Sequence, residues 1–178
     1  MMARRLPTLA RDDRGAAVIE MAIIAPVLGL LVIGIVDISN AFSRKLALEQ
    51  GAQRAIERIM QTTADDTVEG TLKTEVVCQV NGVNSDGTCK TTPITTSNVT
   101  VTYRLECTTT GGALTTQTNT DSTTFDSYSC ANASDTEARY IEVKVDDKYT
   151  PLFPIHFSAF NTGDGTYHLS ATAGMRTE

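Results

Sequence analysis

One ionisable side chain, Glu20, interrupts an otherwise apolar run that extends from Ala16 to Val36. An ionised carboxylate is costly inside a lipid bilayer, so such a residue is expected to have a partner or a function. Gly15 precedes the run, and glycine has no side chain that could obstruct a protease. A cut between Gly15 and Ala16 would create an amine about one helical turn from the Glu20 carboxylate. The two charges could then neutralise each other, within one chain or between neighbouring chains.

A different explanation for Glu20 is its position close to the start of the run. A side chain about one turn inside a membrane helix can extend to the polar interface without any partner. Taken alone, Glu20 is compatible with both explanations. The glycine and the basic segment that precede it favour a functional role.

The apolar run predicts a membrane helix over residues 16–37. It contains about 20 residues, enough to cross a hydrocarbon core of roughly 30 Å. Arginines dominate the basic leader, residues 1–15, so the positive-inside rule places the leader in the cytoplasm. A cleaved secretory signal is the alternative, but the run is longer than such a signal requires and no A-x-A site directly follows Val36.

The net charge of −6 is unevenly distributed along the chain. Residues 1–14 carry four arginines against two aspartates, so the remainder is more acidic than the total suggests. A protein that binds DNA or RNA needs a basic face. We therefore expect no nucleic-acid partner.

Four cysteines, Cys78, Cys89, Cys107 and Cys130, follow the apolar run. They form no CxxC pair and have no histidine at zinc-ligand spacing, so no metal site is expected. An even number of cysteines beyond a membrane helix indicates two disulfides in an oxidising compartment, with free buried thiols as the alternative. Three pairings are possible. The sequential pairing is favoured because turn-forming residues at 81–87 separate the first two cysteines.

The remaining sequence predicts an α+β fold, a long helix packed on a small antiparallel sheet. Residues 38–60 continue the helix into the soluble part, because helix-favouring residues dominate there. Residues 61–178 are predicted to form an extracytoplasmic β-rich domain with the two disulfides, and the polar stretch Thr108–Thr136 within it predicts a long loop. Alternating apolar positions predict four strands: Leu72–Val80, Val99–Cys107, Tyr140–Asp146 and Gly165–Ala173.

Catalytic motifs are not found in the sequence. His156 and His168 stand in apolar or strand-like surroundings, which favours structural or surface roles. No nucleophile elbow, P-loop or zinc-protease motif occurs. We predict no enzymatic activity and no cofactor. The segment 151–160 clusters apolar and aromatic residues, and it is expected either to fold onto the core or to contact the membrane surface or another subunit.

The N-terminal pattern resembles an export signal. A basic leader, Gly15, the small and apolar residues 16–19, Glu20 and an apolar helix are together similar to the class III prepilin signal of type IV pilins. More narrowly, Arg14–Ala22 followed by Pro26 resembles the TadE-like minor pilins, or pseudopilins, of the tight-adherence (Tad/Flp, type IVc) pilus system.

The C-terminal part, including Tyr149–Pro154 and Ala171–Glu178, is also similar to that family, whereas the threonine-rich middle is not. Met21 departs from the pattern, because the family usually has an aromatic residue after the glutamate. This departure weakens the case for efficient processing and leaves the expected pilin-like fold unchanged.

The resemblance implies a processing step and a set of partners. A prepilin peptidase would cut between Gly15 and Ala16, and Glu20 would then guide insertion beside the N-terminal amine of a neighbouring subunit. The expected partners are the membrane, the peptidase and other pilin or pseudopilin subunits. The protein would cross the inner membrane once, with its C-terminal domain in the periplasm or incorporated into an extracellular pilus. The expected function is Tad pilus assembly, priming or anchoring; the alternative is a membrane-anchored extracellular adhesin or binding module.

Overall fold

The computed structural model describes residues 13–61, 69–153 and 163–177. Its longest element, helix α1, extends over Asp13–Gln61 and is continuous through Pro26. At 1.5 Å per residue, its 49 residues reach about 70 Å. The helix ends one residue beyond the boundary expected from the sequence. The remaining elements, in chain order, are α2 (Glu69–Asn81), a 3₁₀ turn (Thr96–Asn98), β1 (Val99–Thr108), β2 (Leu114–Asn119), α3 (Ser122–Asp126), β3 (Thr136–Tyr149) and β4 (Tyr167–Arg176).

The four strands form one antiparallel sheet in the order β2-β1-β3-β4. Val101 pairs with Val143, and Val143 pairs with Ala173, so apolar residues line up across the three long strands. Along β1 and β3, buried residues alternate with exposed or half-buried ones. This alternation puts one face of the sheet in the core and the other in solvent, as the sequence indicated.

The outer half of α1 and the short helix α2 cover the buried face of the sheet. Leu48 and Ala52 of α1 belong to the same core cluster as Leu72 and Val76 of α2. Arg58 of α1 also lies 3.0 Å from the Glu75 carboxylate of α2. The long helix on a small antiparallel sheet confirms the predicted α+β fold class.

The prediction of a strand at Leu72–Val80 is wrong, because these residues lie within helix α2. Three valines in this segment favour β-structure by propensity. Their spacing is nevertheless helical. Leu72, Val76 and Val77 are the buried residues of α2, and positions i, i+4 and i+5 lie on one face of a helix.

The prediction of a long loop over Thr108–Thr136 is also wrong, since the segment contains β2 and α3. A turn joins β1 to β2, closed by a hydrogen bond from the amide of Thr109 to the carbonyl of Ala113. Asp121 caps α3 by accepting a hydrogen bond from the amide of Thr123 at 2.9 Å. Phe125 of α3 is buried and stacks on Tyr103 of β1, which packs α3 against the sheet.

The first half of α1 stands apart from this packed domain. From Val18 through Val36 its large apolar side chains are exposed, apart from the half-buried Ile33, in contrast to the buried positions further along the helix. Within the described residues, α1 is the one helix long and apolar enough to cross a membrane. A single membrane span is consistent with this exposed, apolar half.

Candidate functional site

Glu20 lies on the exposed surface of α1, among apolar residues that are themselves exposed. The neighbouring Ile19 and Met21 each leave 63% of their side-chain surface uncovered. No hydrogen bond or ion pair joins the Glu20 carboxylate to another described residue. In a membrane, this carboxylate would therefore face lipid or a neighbouring molecule, since the described part of its own chain offers no compensating charge.

Gly15 lies in the first turn of α1, at the beginning of the exposed apolar half. Among the described residues, and apart from its chain neighbours and the nearby backbone of its own helix, no atom lies within 4 Å of the position that a Cβ would occupy there. The backbone at this point is thus open, and Glu20 follows five residues later on the same helix. The leader up to residue 12 lies outside the described residues.

The cysteines form the disulfides Cys78–Cys89 and Cys107–Cys130, which is the sequential pairing. The first bond joins the end of α2 to the tight turn that follows it. The second joins β1 to the segment after α3, and Cys107 is 3% exposed within the core. The two bonds therefore stabilise the parts of the domain that have the least regular structure.

Asp37 forms the principal contact between the apolar half of α1 and the packed domain. Its side chain is 1% exposed. One carboxylate oxygen accepts a hydrogen bond from the amide of Leu152 at 2.8 Å, and the other accepts one from the amide of Phe153 at 3.2 Å. A buried carboxylate satisfied by two amides fixes the chain after β3 against the helix.

Two turns further along α1, Arg44 makes a second buried contact. Its Nε atom lies 2.7 Å from an Asp147 oxygen on β3, and the two side chains are only 16% and 9% exposed. The sequence analysis did not predict the contacts of Asp37 or of Asp147. The sequence does contain a signal for the buried face of α1, because positions three and four apart share one face of a helix. The residues with this spacing are Asp37, Ala41, Arg44 and Leu48.

Two tyrosines complete this contact region. Tyr149 at the end of β3 and Tyr167 at the start of β4 stack with ring centroids 6.2 Å apart. Burial, and secondly the nearby Asp37 carboxylate, raise the pKa of the Tyr149 hydroxyl. The hydroxyl therefore stays neutral and can remain in this region without adding a second negative charge. Asp37, Arg44, Asp147, Tyr149 and the Leu152–Phe153 backbone are called the exit clamp below.

Of the two histidines, only His168 lies within the described residues. His168 is exposed on β4, and its Nε2 atom lies 2.8 Å from the Asp164 carboxylate. This contact, followed by hydrogen bonds from Thr166, holds the pKa of Asp164 well below its usual range. His156 and the rest of the aromatic segment from residue 154 to 160 lie outside the described residues. Among those described, no cluster of three potential metal ligands occurs.

These features define a class of protein with one long apolar N-terminal helix, exposed over its first half, and a small disulfide-bonded α+β domain clamped to its second half. The family model described as "TadE-like protein" matches residues 15–56, a segment that begins at Gly15 and includes Glu20, Asp37 and Arg44. This match confirms the TadE-like resemblance for the N-terminal part of the chain, and it is consistent with a protein of the Tad pilus system. Neither the curated proteins nor the solved structures contain a match to the chain.

Proposed function

We propose that this protein is a minor pilin, or pseudopilin, that takes part in assembling, priming or anchoring a Tad pilus. The family match suggests a pilus-associated subunit. The described geometry suits that task, because one end of the molecule is an exposed apolar helix and the other is a compact domain. A structural subunit needs no catalytic site of its own. It needs only to be processed by a peptidase and to bind neighbouring subunits.

The observation that carries this proposal is the exposed position of Glu20. Its side chain is exposed on the apolar half of α1 and has no ion-pair partner among the described residues. A neighbouring subunit can supply the missing positive charge through its N-terminal amine. In a medium of low dielectric constant, this attraction is stronger than in water and would favour one alignment of adjacent helices.

Processing creates that amine. A prepilin peptidase would hydrolyse the peptide bond between Gly15 and Ala16, which removes the basic leader and leaves Ala16 with a free α-amine. The leader would remain on the cytoplasmic side, while the acidic domain with its two disulfides would lie in the periplasm. The proposed partners are therefore the inner membrane, the peptidase and other pilin or pseudopilin subunits.

Substitution of Glu20 tests this function in cells that carry the pilus machinery. The Glu20→Ala variant is expected to enter the membrane, since the change makes the span more apolar. It should nevertheless fail to appear in pili sheared from the cells or with co-purified subunits. The matched control is Glu57→Ala, which removes an exposed carboxylate from the outer half of the same helix.

Two readouts separate insertion from assembly. The membrane fraction, extracted with alkaline carbonate, should contain the wild type and both variants in similar amounts. The pilus fraction should contain the wild type and the Glu57→Ala variant only. Recovery of the Glu20→Ala variant in pili at the wild-type level would remove Glu20 from the mechanism.

A further inference from the structure

The position of Asp37 along α1 sets the depth of the residues that are bonded to it. The apolar run before Asp37 has about 20 residues and extends about 30 Å, which matches the thickness of a hydrocarbon core. If this run spans the bilayer, Asp37 lies at the outer boundary of the hydrocarbon region. The amides of Leu152 and Phe153 donate to Asp37 at 2.8 and 3.2 Å. The exit clamp therefore holds both residues close to that boundary.

The side chains at this depth are apolar and exposed. Leu152 is 66% exposed and Phe153 is 37% exposed, although their backbones are fixed by a buried carboxylate. On the two turns of α1 after the boundary, Ile38 is 47% exposed and Phe42 is 61% exposed. Exposed large apolar residues gathered at one level of a molecule indicate a surface that is covered by something other than water.

We propose that Leu152 and Phe153 form a second membrane contact, in which the exit clamp presents both side chains to the outer leaflet beside the point where α1 leaves it. The occupant of this surface is the lipid of the same bilayer, at the boundary between acyl chains and headgroups. Asp37 is a positioning residue, because it acts through the backbone of the loop. The contact would fix the height and rotation of the acidic domain relative to the membrane. With α1 as its one contact, the domain could still turn about the helix axis or shift along it.

The absence of tryptophan from the chain makes this inference directly measurable. The Phe153→Trp variant of the full-length protein carries one tryptophan at the proposed contact. After reconstitution into phosphatidylcholine vesicles, its emission should be blue-shifted, and most of its intensity should be lost when the lipid is brominated near the headgroup end of the acyl chains. Quenching requires the bromine atoms to lie near the indole ring, so it reports lipid contact.

Two further single-tryptophan variants serve as controls. Leu114→Trp places the probe at the start of β2, where the native side chain is 59% exposed on the packed domain, and it should not be quenched by brominated lipid. Leu30→Trp places the probe within the apolar half of α1 and should be quenched most strongly by lipid brominated deep in the chains. The inference depends on the span in the proposed function, and the Leu30→Trp variant tests that span separately.

The role of the exit clamp is tested in the Phe153→Trp background. Adding Asp37→Ala removes both acceptors and should abolish most of the quenching by brominated lipid. Asp37→Asn retains one acceptor oxygen and should give an intermediate loss, which provides a second measurement if the alanine variant does not fold. Asp146→Ala removes an exposed carboxylate from the outward face of β3 and should leave the quenching unchanged.

The outcomes separate the possible failures. Quenching of Leu30→Trp without quenching of Phe153→Trp would overturn the second membrane contact and leave the membrane span intact. A blue-shifted but unquenched Phe153→Trp emission would show that a protein surface, and not lipid, covers this site, which also overturns the proposal. Loss of quenching in Leu30→Trp itself would contradict the span, and with it the proposed function. Full quenching in the Asp37→Ala background would overturn the role of the exit clamp.

Discussion

Asp37 is at once the first charged residue after the apolar run and one of the most buried polar residues of the domain. In the sequence, Asp37 marks the end of the apolar run. Its hydrogen-bond partners could not be predicted, because the amides of Leu152 and Phe153 are 115 and 116 positions away along the chain. A single sequence contains no signal for a contact between a helix side chain and a distant loop backbone. The carboxylate thus joins the anchor to the domain in a way that only the structure reveals.

Replacement of Asp37 should destabilise the domain by roughly 2–4 kcal/mol, because two charge-assisted hydrogen bonds are lost and two amides lose their partners. The measurement is the guanidinium midpoint of Asp37→Ala in detergent, followed by near-ultraviolet circular dichroism of the tyrosines. Asp146→Ala is the control, since its carboxylate is exposed and lies 3.0 Å from Nζ of Lys144 on the solvent face. Equal midpoints for the two variants would show that the clamp does not contribute to stability.

The ion pair between Arg44 and Asp147 permits a second comparison at this scale. Arg44→Met leaves a buried carboxylate without its cation, which should cost about 3 kcal/mol. Lys144→Met breaks the neighbouring pair on the exposed face of the same strand and should cost less than about 1 kcal/mol. Both values follow from urea unfolding curves of otherwise identical chains. A cost for Arg44→Met as small as that for Lys144→Met would contradict the structural role of the buried pair.

At the scale of elements, periodicity was more informative than composition. The strands at Val99–Cys107 and Tyr140–Asp146 could be predicted because their alternation is regular, and both segments lie within observed strands. The segment of helix α2 was predicted to be a strand because its three valines favour β-structure. The helical spacing of its buried residues was not taken into account. The elements β2 and α3 could not be predicted, since their threonine-rich sequence has no apolar periodicity and Phe125 is the one buried residue in the two elements.

The packing of α1 on α2 depends on a glycine. A Cβ atom at Gly51 would lie 2.6 Å from Cγ2 of Val80, and valine has few alternative rotamers to relieve the overlap. Gly51→Ala should therefore destabilise the domain by about 1 kcal/mol or more, although alanine favours a helix over glycine by a similar amount. The change in unfolding free energy can be measured by chemical denaturation.

Two variants make the comparison specific to this contact. Gly70→Ala, where no described atom beyond the neighbouring helix backbone lies within 4 Å of the added Cβ, should be neutral or stabilising. Val80→Ala in the Gly51→Ala background should recover part of the loss, because the overlapping methyl group is removed. If Gly51→Ala were as stable as the wild type, the close approach of the two helices would not be needed.

At the scale of the whole molecule, the charge distribution and the positions of the cysteines are both consistent with the proposed orientation. The leader is basic, the remainder is acidic, and both disulfides lie in the domain beyond the apolar half of α1. The sequence predicts this organisation from composition and the order of its segments alone. The way the domain is attached to the helix was beyond the sequence, because it depends on the tertiary contacts of the exit clamp.

The proposed orientation predicts the oxidation state of the four cysteines in cells. If the domain lies in an oxidising compartment, a maleimide reagent added under denaturing, non-reducing conditions should modify none of the cysteines, and all four should react after reduction. The mass added to the protein gives the number of modified thiols. Four reactive thiols before reduction would indicate that the domain faces the reducing cytoplasm, contrary to the proposed orientation.

The central claim, that a cut between Gly15 and Ala16 creates the amine that pairs with Glu20, has one direct test. The full-length gene product is recovered from the membranes of cells that contain a prepilin peptidase, and its intact mass and N-terminal sequence are determined. The account predicts a mature chain that begins at Ala16, and a Gly15→Leu variant that retains the leader because the bulky side chain obstructs the peptidase. A wild-type chain that keeps residues 1–15 in those cells would contradict the account.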